Sequence, residues 1–272
     1  MRKFINTGTH IARRLTGKTS IFGIAALVLI ISAVGIYTYR HQLAPIVWNT
    51  FHLAPLATLL DSRSAALYEA MGNYYFESDH YDVEAARRYF EKAVALDTHV
   101  PLAHYQLARI YFITGNSALA LQEVDTQFAL YPGFERSYYM RGLIYSYAGE
   151  LNKAVADFRA FLAWKPESWA AHNDLAWVYF KKGDFVHAEG LAREGLAYTP
   201  DNAWLLTMRG VSLLNLGKKR EASGVLASAL AEAQKLTKED WIQAYPGNDP
   251  KIAEQGLREI IQTIEKNLAL AN

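Results

Sequence analysis

Residues 101–132 read PLAHYQLARIYFITGNSALALQEVDTQFALYP. Leu107, Ala108 and Tyr111 fall at helical spacing on one face, Gly115-Asn116 breaks the run, and Ala118 to Ala129 resumes it as far as Pro132. Proline cannot continue a helix interior, because it lacks the N–H and crowds the preceding turn. The stretch predicts two helices joined by a tight turn. The same residues then return at an offset of 34: glycines at Gly115, Gly149, Gly183 and Gly217, alanines at Ala120, Ala154, Ala188 and Ala222, prolines at Pro132, Pro166 and Pro200. Tyr111, Tyr145 and Tyr179 share a further slot, taken by Leu213 in the fourth block. A fixed period of this size marks supersecondary units stacked in a row rather than one globular core.

Small residues at Ala108 and Ala120 let the two helices of a unit approach toward the short end of the roughly 8–10 Å packing range, with Tyr111 filling the space between them. Working backward, Met71-Gly72, Tyr75, Ala86, Phe90 and Ala93 outline an earlier unit whose turn is two residues longer, with Ser78-Asp79-His80 absorbing the insertion. The units are placed at about 65–100, 101–134, 135–168, 169–202 and 203–234, five repeats in all. Residues 235–272 form a linker and a last helix, in which Leu257, Ile260, Ile261, Ile264 and Leu268 make one apolar stripe. A stack needs a cap on its open end, so this helix is expected to close it; docking into a partner or into the chain's own groove uses the same stripe.

The pattern small-x-x-Tyr-x-x-x-Gly-x-x-x-x-Ala, with proline twelve residues on, resembles the tetratricopeptide repeat, and the resemblance covers residues 65–234. It implies an all-α helix–turn–helix solenoid in which the first helix of each repeat lines a concave groove. Carried onto this sequence, the groove would hold Tyr105, Arg109 and Phe112 from the second repeat, and Arg136, Tyr139 and Tyr147 from the third. Asn173, Trp177 and Phe180 would come from the fourth, and Trp204 from the fifth. The lysine by which chaperone-binding relatives hold a C-terminal carboxylate is not reproduced, since Glu69, Tyr105, Tyr139 and Asn173 stand in that position. An aromatic, sparsely charged trough suits an extended or helical apolar segment of a protein partner, anchored by Tyr and Trp.

Ser20 to Tyr39 carries no charge over 20 residues, enough at about 1.5 Å per residue to span a hydrocarbon core of about 30 Å. Residues 1–19 are basic, with Arg2, Lys3, Arg13, Arg14 and Lys18, so the positive-inside rule puts them in the cytoplasm and the body across the membrane. The expected organisation is a basic segment at 1–19, a transmembrane helix at 20–39 and an interfacial connector at 40–64, with a bacterial inner-membrane location. A cleaved signal peptide is the rival, poorly matched by Ala33-Val34-Gly35; a second membrane entry by the uncharged 41–60 is opposed by two prolines, Asn49 and two histidines. The acid-free, Arg-containing start also resembles a mitochondrial presequence, which keeps a mitochondrial inner membrane open.

Residues 41–272 hold all 27 acids against 22 bases, a balance that argues against non-specific nucleic-acid binding. The chain has no cysteine, which removes disulfides, thiol catalysis and cysteine zinc sites. His104 and His172 share a repeat position and are expected to pack rather than react. No His-Glu-x-x-His, Gly-x-Ser-x-Gly or phosphate-cradling loop occurs, so the sequence predicts no enzyme, no cofactor and no metal. The function expected is a membrane-anchored interaction scaffold or adaptor; the alternative is a structural subunit that self-associates into a homo-oligomer.

Overall fold

A computed structural model describes the backbone of residues 8–245 and 248–272, with side chains at Ala26 and from Val28 onward. The described residues are helical throughout, and they fall into two compact units, 1–67 and 68–272.

In the first unit, α1 (Gly8–Phe51) runs unbroken past residue 39 with Pro45 inside it. His52, at φ 51°, ends it, and the chain doubles back as α2 (Ala54–Leu60), with Pro55 in the first turn. His41 Nδ1 lies 2.6 Å from Asp61 Oδ2, and Ala44 and Ala57 are fully buried. The segment expected to be a connector is therefore largely helical. Of the expected span at 20–39, the side chains of 20–25 and Leu27 lie outside the described residues, as does the backbone of 1–7. Among the described residues no helix is long and apolar enough to cross a membrane.

The second unit is built from helical hairpins, the first of which begins within the end of the first unit. They are α3 (Ala65–Phe76) with α4 (Val83–Leu96), α5 (Ala103–Ile113) with α6 (Ser117–Leu130), and α7 (Arg136–Tyr147) with α8 (Leu151–Trp164). After them come α9 (Trp169–Lys181) with α10 (Phe185–Tyr198), and α11 (Ala203–Asn215) with α12 (Lys219–Ala233). A 3-10 turn at Ser78–His80 takes up the two extra residues of the first hairpin.

The periodic residues have separate tasks. Gly149 and Gly183 sit at φ +82° and +76°, where an L side chain is strained, and Gly115 and Gly217 match them. The N–H after each glycine donates to the carbonyl of the Tyr slot, as in Asn116 N to Tyr111 O at 2.7 Å and Asp184 N to Tyr179 O at 2.9 Å, which closes a Schellman end. The Asn116 and Asp184 side chains then accept from Leu119 N and His187 N, capping the next helix. Ala120, Ala154, Ala188 and Ala222 are fully buried.

Within a hairpin the tyrosine shares the filling with a second group. Tyr111 packs on Ala108, Ala120 and Val124, and Tyr179 stacks on His187 at 5.0 Å. Phe90, Phe158 and Leu226 of the second helices lie over Gly72, Gly142 and Gly210 of the first, and a Cβ at Gly210 would come within 2.6 Å of Leu226. The Tyr111 hydroxyl also donates to Glu91 Oε1 of the preceding repeat at 2.8 Å, and the Tyr179 hydroxyl accepts from Arg159 at 2.7 Å. These rings fill their own hairpin, as their spacing predicts, and their hydroxyls join it to the repeat before.

Two further helices follow. α13 (Lys238–Ala244) opens with a capping box between Thr237 and Asp240, and α14 (Ala253–Ala271) follows a 3-10 turn at Pro250–Ile252. Ile264 is fully buried on the last repeat, with Ile260, Ile261 and Leu268 packed beside it. The last helix thus caps the stack, as its stripe predicts.

Candidate functional site

The first helices of successive repeats, α5, α7, α9 and α11, touch one another and form the inner layer. Within it the expected groove residues divide by how they are used. Tyr139 is buried: its ring meets Phe158 and Phe161, and its hydroxyl donates to Asp174 Oδ2 at 2.7 Å. Asn173 is buried beside it, Tyr105 is buried against Phe134, and Phe180 packs on Phe185. Trp204 stacks on Trp169 of the preceding repeat at 5.2 Å. These five are taken up in packing within the chain: Tyr139 and Trp204 between repeats, Phe180 within its own, and Asn173 against Tyr245.

The others border clefts in the inner layer. Tyr147 is 66% exposed, with Phe112 at 5.2 Å on one side and Trp177 at 5.5 Å on the other. Lys181 Nζ lies 4.3 Å from the Trp177 ring centroid and donates to Ser146 O at 2.9 Å. These rings border a cavity of about 340 Å³. Arg109 lies over the Phe76 ring at 4.5 Å and donates to Gln106 Oε1 at 2.6 Å. Burial holds its guanidinium below the ordinary arginine range. Among the described residues neither Arg109 nor Arg136 has a carboxylate partner, so the groove carries positive charge that its own side chains leave uncompensated.

The groove is also occupied. α13 and Tyr245 lie along it, an arrangement absent from the sequence reading, which gave 235–272 only a linker and one helix. The Asn173 amide donates to the Tyr245 hydroxyl at 2.9 Å, and that hydroxyl sits 3.4 Å from Asp174 Oδ1. The Tyr245 ring meets Trp169 edge-on at 5.8 Å. On the other side of α13, Trp241 covers Gly256 of α14 so closely that any Cβ there would run into the indole. The Asn248 amide donates to Trp241 O at 2.6 Å. Burial pushes the Asp174 carboxyl up to about 6, opposed by the hydrogen bonds from Tyr139, Asn173 and Tyr245. Burial, and then the charge of Asp174, raise both Tyr139 and Tyr245 well above the usual phenol range. The Thr237-Lys-Glu-Asp240 capping signature, followed by Trp241 and Tyr245 four residues apart, was the signal that could have announced this helix.

His104 and His172 both reach back to the loop before their helix. His104 bonds Glu123 at 2.6 Å and the Thr98 carbonyl at 3.1 Å, and His172 Nε2 donates to Pro166 O at 2.9 Å. Among the described residues no group of three His, Asp or Glu side chains is placed to hold a metal ion.

A stack of helical hairpins with an aromatic inner face defines a helical-repeat solenoid. Residues 70–133 and 139–203 match the tetratricopeptide repeat, and the chain carries these repeats as an all-α solenoid. Among curated proteins, the chain is 25% identical over 139 residues to the anaphase-promoting complex subunit CDC16 of Saccharomyces cerevisiae, a match covering 51% of this chain and 16% of that one. The chain spans between 16% and 37% of the length of the curated relatives it matches. Among solved structures it resembles PilW, a type IV pilus biogenesis factor, with a TM-score of 0.59 at 16% identity over 74% of this chain and 95% of that one. It also resembles YrrB, described as a tetratricopeptide protein with an unusual peptide-binding site, with a TM-score of 0.53 at 16% identity over 66% and 91%. At these identities the structural likeness shows the fold.

Proposed function

We propose that this protein is an adaptor that holds a segment of another protein in its concave face, tethered to a membrane through residues 20–39. The carrying observation is the ring set Phe112, Tyr147 and Trp177, which borders an open cleft beside Tyr245, with Tyr147 exposed and the other two half-buried, while its neighbours are consumed in packing. Aromatic rings left exposed together mark contact surfaces, because they bury large area at small entropic cost. Unpaired Arg109 and Arg136 favour a partner segment that brings a carboxylate as well as apolar side chains. The peptide-binding site named for YrrB and the biogenesis role named for PilW are uses of the same fold that agree with this reading.

Support for the tether comes from the uncharged 20–39 run, the basic residues before it, and the exposed apolar side chains of Val28, Leu29, Ile30 and Ile31 on α1. With the body across the membrane, tethering raises the effective concentration of the groove for membrane partners. A photo-crosslinking residue at Tyr147 in cells tests the adaptor. Capture of a distinct polypeptide that Trp177→Ala abolishes supports it; capture of nothing, with the fold intact, removes it. A cysteine at exposed Ser228, labelled by an impermeant maleimide in intact cells or spheroplasts, supports the outward orientation; labelling only after lysis removes it.

A further inference from the structure

The strap that lies in the groove fits it incompletely. Three open clefts, of about 300, 340 and 400 Å³, flank the strap, so it leaves part of the groove beside it uncovered. Tyr245 borders two of them, and Gln243 borders two. Arg109 faces one cavity and Arg136 another. Among the described residues the strap is held at its α14 side by Trp241 against Gly256 and by Lys238 paired with Glu254, and in the groove by Tyr245 against Asn173, Asp174 and Trp169. An element that filled this space as core would close the cavities and pair the arginines.

We propose that Lys238–Tyr245 is an internal stand-in for the partner: the groove recognises a short helical turn ending in tyrosine, and a partner segment of that kind enters by displacing Tyr245 from Asn173 and Asp174. This rests on the adaptor reading and adds the chemistry of the ligand and the regulation of its site. The recognition elements are already in use by the strap. An amide donor and a carboxylate acceptor flank one phenol hydroxyl, so phenylalanine in its place would leave the Asn173 amide with only a 3.4 Å contact to Asp174 and remove one of that carboxylate's donors. Trp169 supplies the edge of the ring pocket. A partner gains over the strap what the strap leaves unused, which is the apolar volume beside Phe112 and Trp177 and two guanidinium groups that the strap gives no carboxylate. Because strap and partner compete for one place, the apparent affinity is the intrinsic one reduced by the fraction of molecules whose strap is out.

The test is a fluorescent peptide copying residues 236–245, titrated into the full chain in detergent micelles. Wild type should bind it weakly. Trp241→Ala/Tyr245→Ala should bind it at least ten-fold more tightly, and the peptide with alanine for its tyrosine should lose that gain. Gly256→Ala gives an independent release, since it unseats Trp241 without touching the groove and favours the helix that contains it. It should shift the affinity in the same direction with helicity retained by circular dichroism. Equal affinity for wild type and both released variants, or equal binding of the alanine peptide, overturns the proposal. So does a released variant that doubles its mass by lending its strap to a second copy without binding the peptide. Peptide binding that follows this pattern, with no partner captured at Tyr147 in cells, removes the adaptor reading and leaves the strap. Partner capture with no peptide binding does the reverse.

Discussion

Tyr139 and Asp174, 35 residues apart in successive repeats, meet through a hydrogen bond of 2.7 Å, and the strap brings Tyr245 to the same carboxylate. The contact has a pH signature. The Asp174 carboxyl stands at about 6 in the folded chain against 3.8 for the free group, so the folded state binds the extra proton between those values. Stability attributable to this group is greatest at low pH, falls as pH rises through about 4 to 6, and stays at the lower level above. A shift of about two units corresponds to about 3 kcal/mol. Asp174→Asn cannot ionise and should lack the step. Urea denaturation at pH 4 to 7 should show wild type losing stability relative to Asp174→Asn; parallel profiles would remove the assignment.

Tyr139 and Tyr147 occupy the same helix and the same expected groove, yet should respond oppositely to truncation. Tyr139→Ala opens a cavity and strips Asp174 of a donor, at a cost of about 3–5 kcal/mol. Tyr147→Ala, at an exposed site, should cost under about 1 kcal/mol while weakening partner capture about tenfold or more. Chemical denaturation, and crosslinking yield from a probe moved to Ile113 on the same cleft, measured on both variants, separate packing from recognition. Similar stability losses for the two would contradict the division made here.

Gly183 and Gly190 make a pair of opposite sign. Gly183 sits at φ +76°, so alanine there should destabilise by about 1–2 kcal/mol. Gly190 lies within α10 with open space where its Cβ would go, so alanine should stabilise by about 0.5–1 kcal/mol. Thermal midpoints of the two variants should move in opposite directions.

Arg141 grips Asp157 through two hydrogen bonds, of 2.8 and 2.9 Å, and Asp157 is nearly buried. One repeat later the corresponding positions are Leu175 and Leu191, packed in one apolar cluster. Arg141→Leu alone strands a buried carboxylate and should cost about 3–5 kcal/mol. Adding Asp157→Leu recreates the neighbouring repeat's pair and should restore most of the loss. A double variant no more stable than Arg141→Leu would show that the ion pair is worth more than its hydrophobic replacement.

The solenoid was legible because its signals are local and repeated. A glycine at positive φ, a buried alanine and a cap residue each act within one hairpin, and 34-residue spacing multiplies them. The division of the groove was not legible. Tyr105, Tyr139 and Tyr147 are the same residue type on inner-layer helices, and only neighbours distant in sequence decide which is buried. Tyr139 depends on Asp174, and Asn173 on Tyr245, which is 72 residues away. A single tyrosine in a linker carries no periodicity, so its destination could be found only in three dimensions. The role of Tyr111 was legible only in part: its spacing places the ring in its own hairpin, while the hydroxyl's partner Glu91 belongs to another repeat.

A stack in which each hairpin touches only its neighbours can fray from one end without informing the other. The bond between Asn173 and Tyr245 removes that freedom, because it staples the segment after the last repeat to the middle of the array. Opening of the final helices must then release the centre, and loosening of the centre must release the end. The strap turns a linear chain of nearest neighbours into a closed circuit, in which emptying the groove leaves the C-terminal cap held by the last repeat alone and easier to fray.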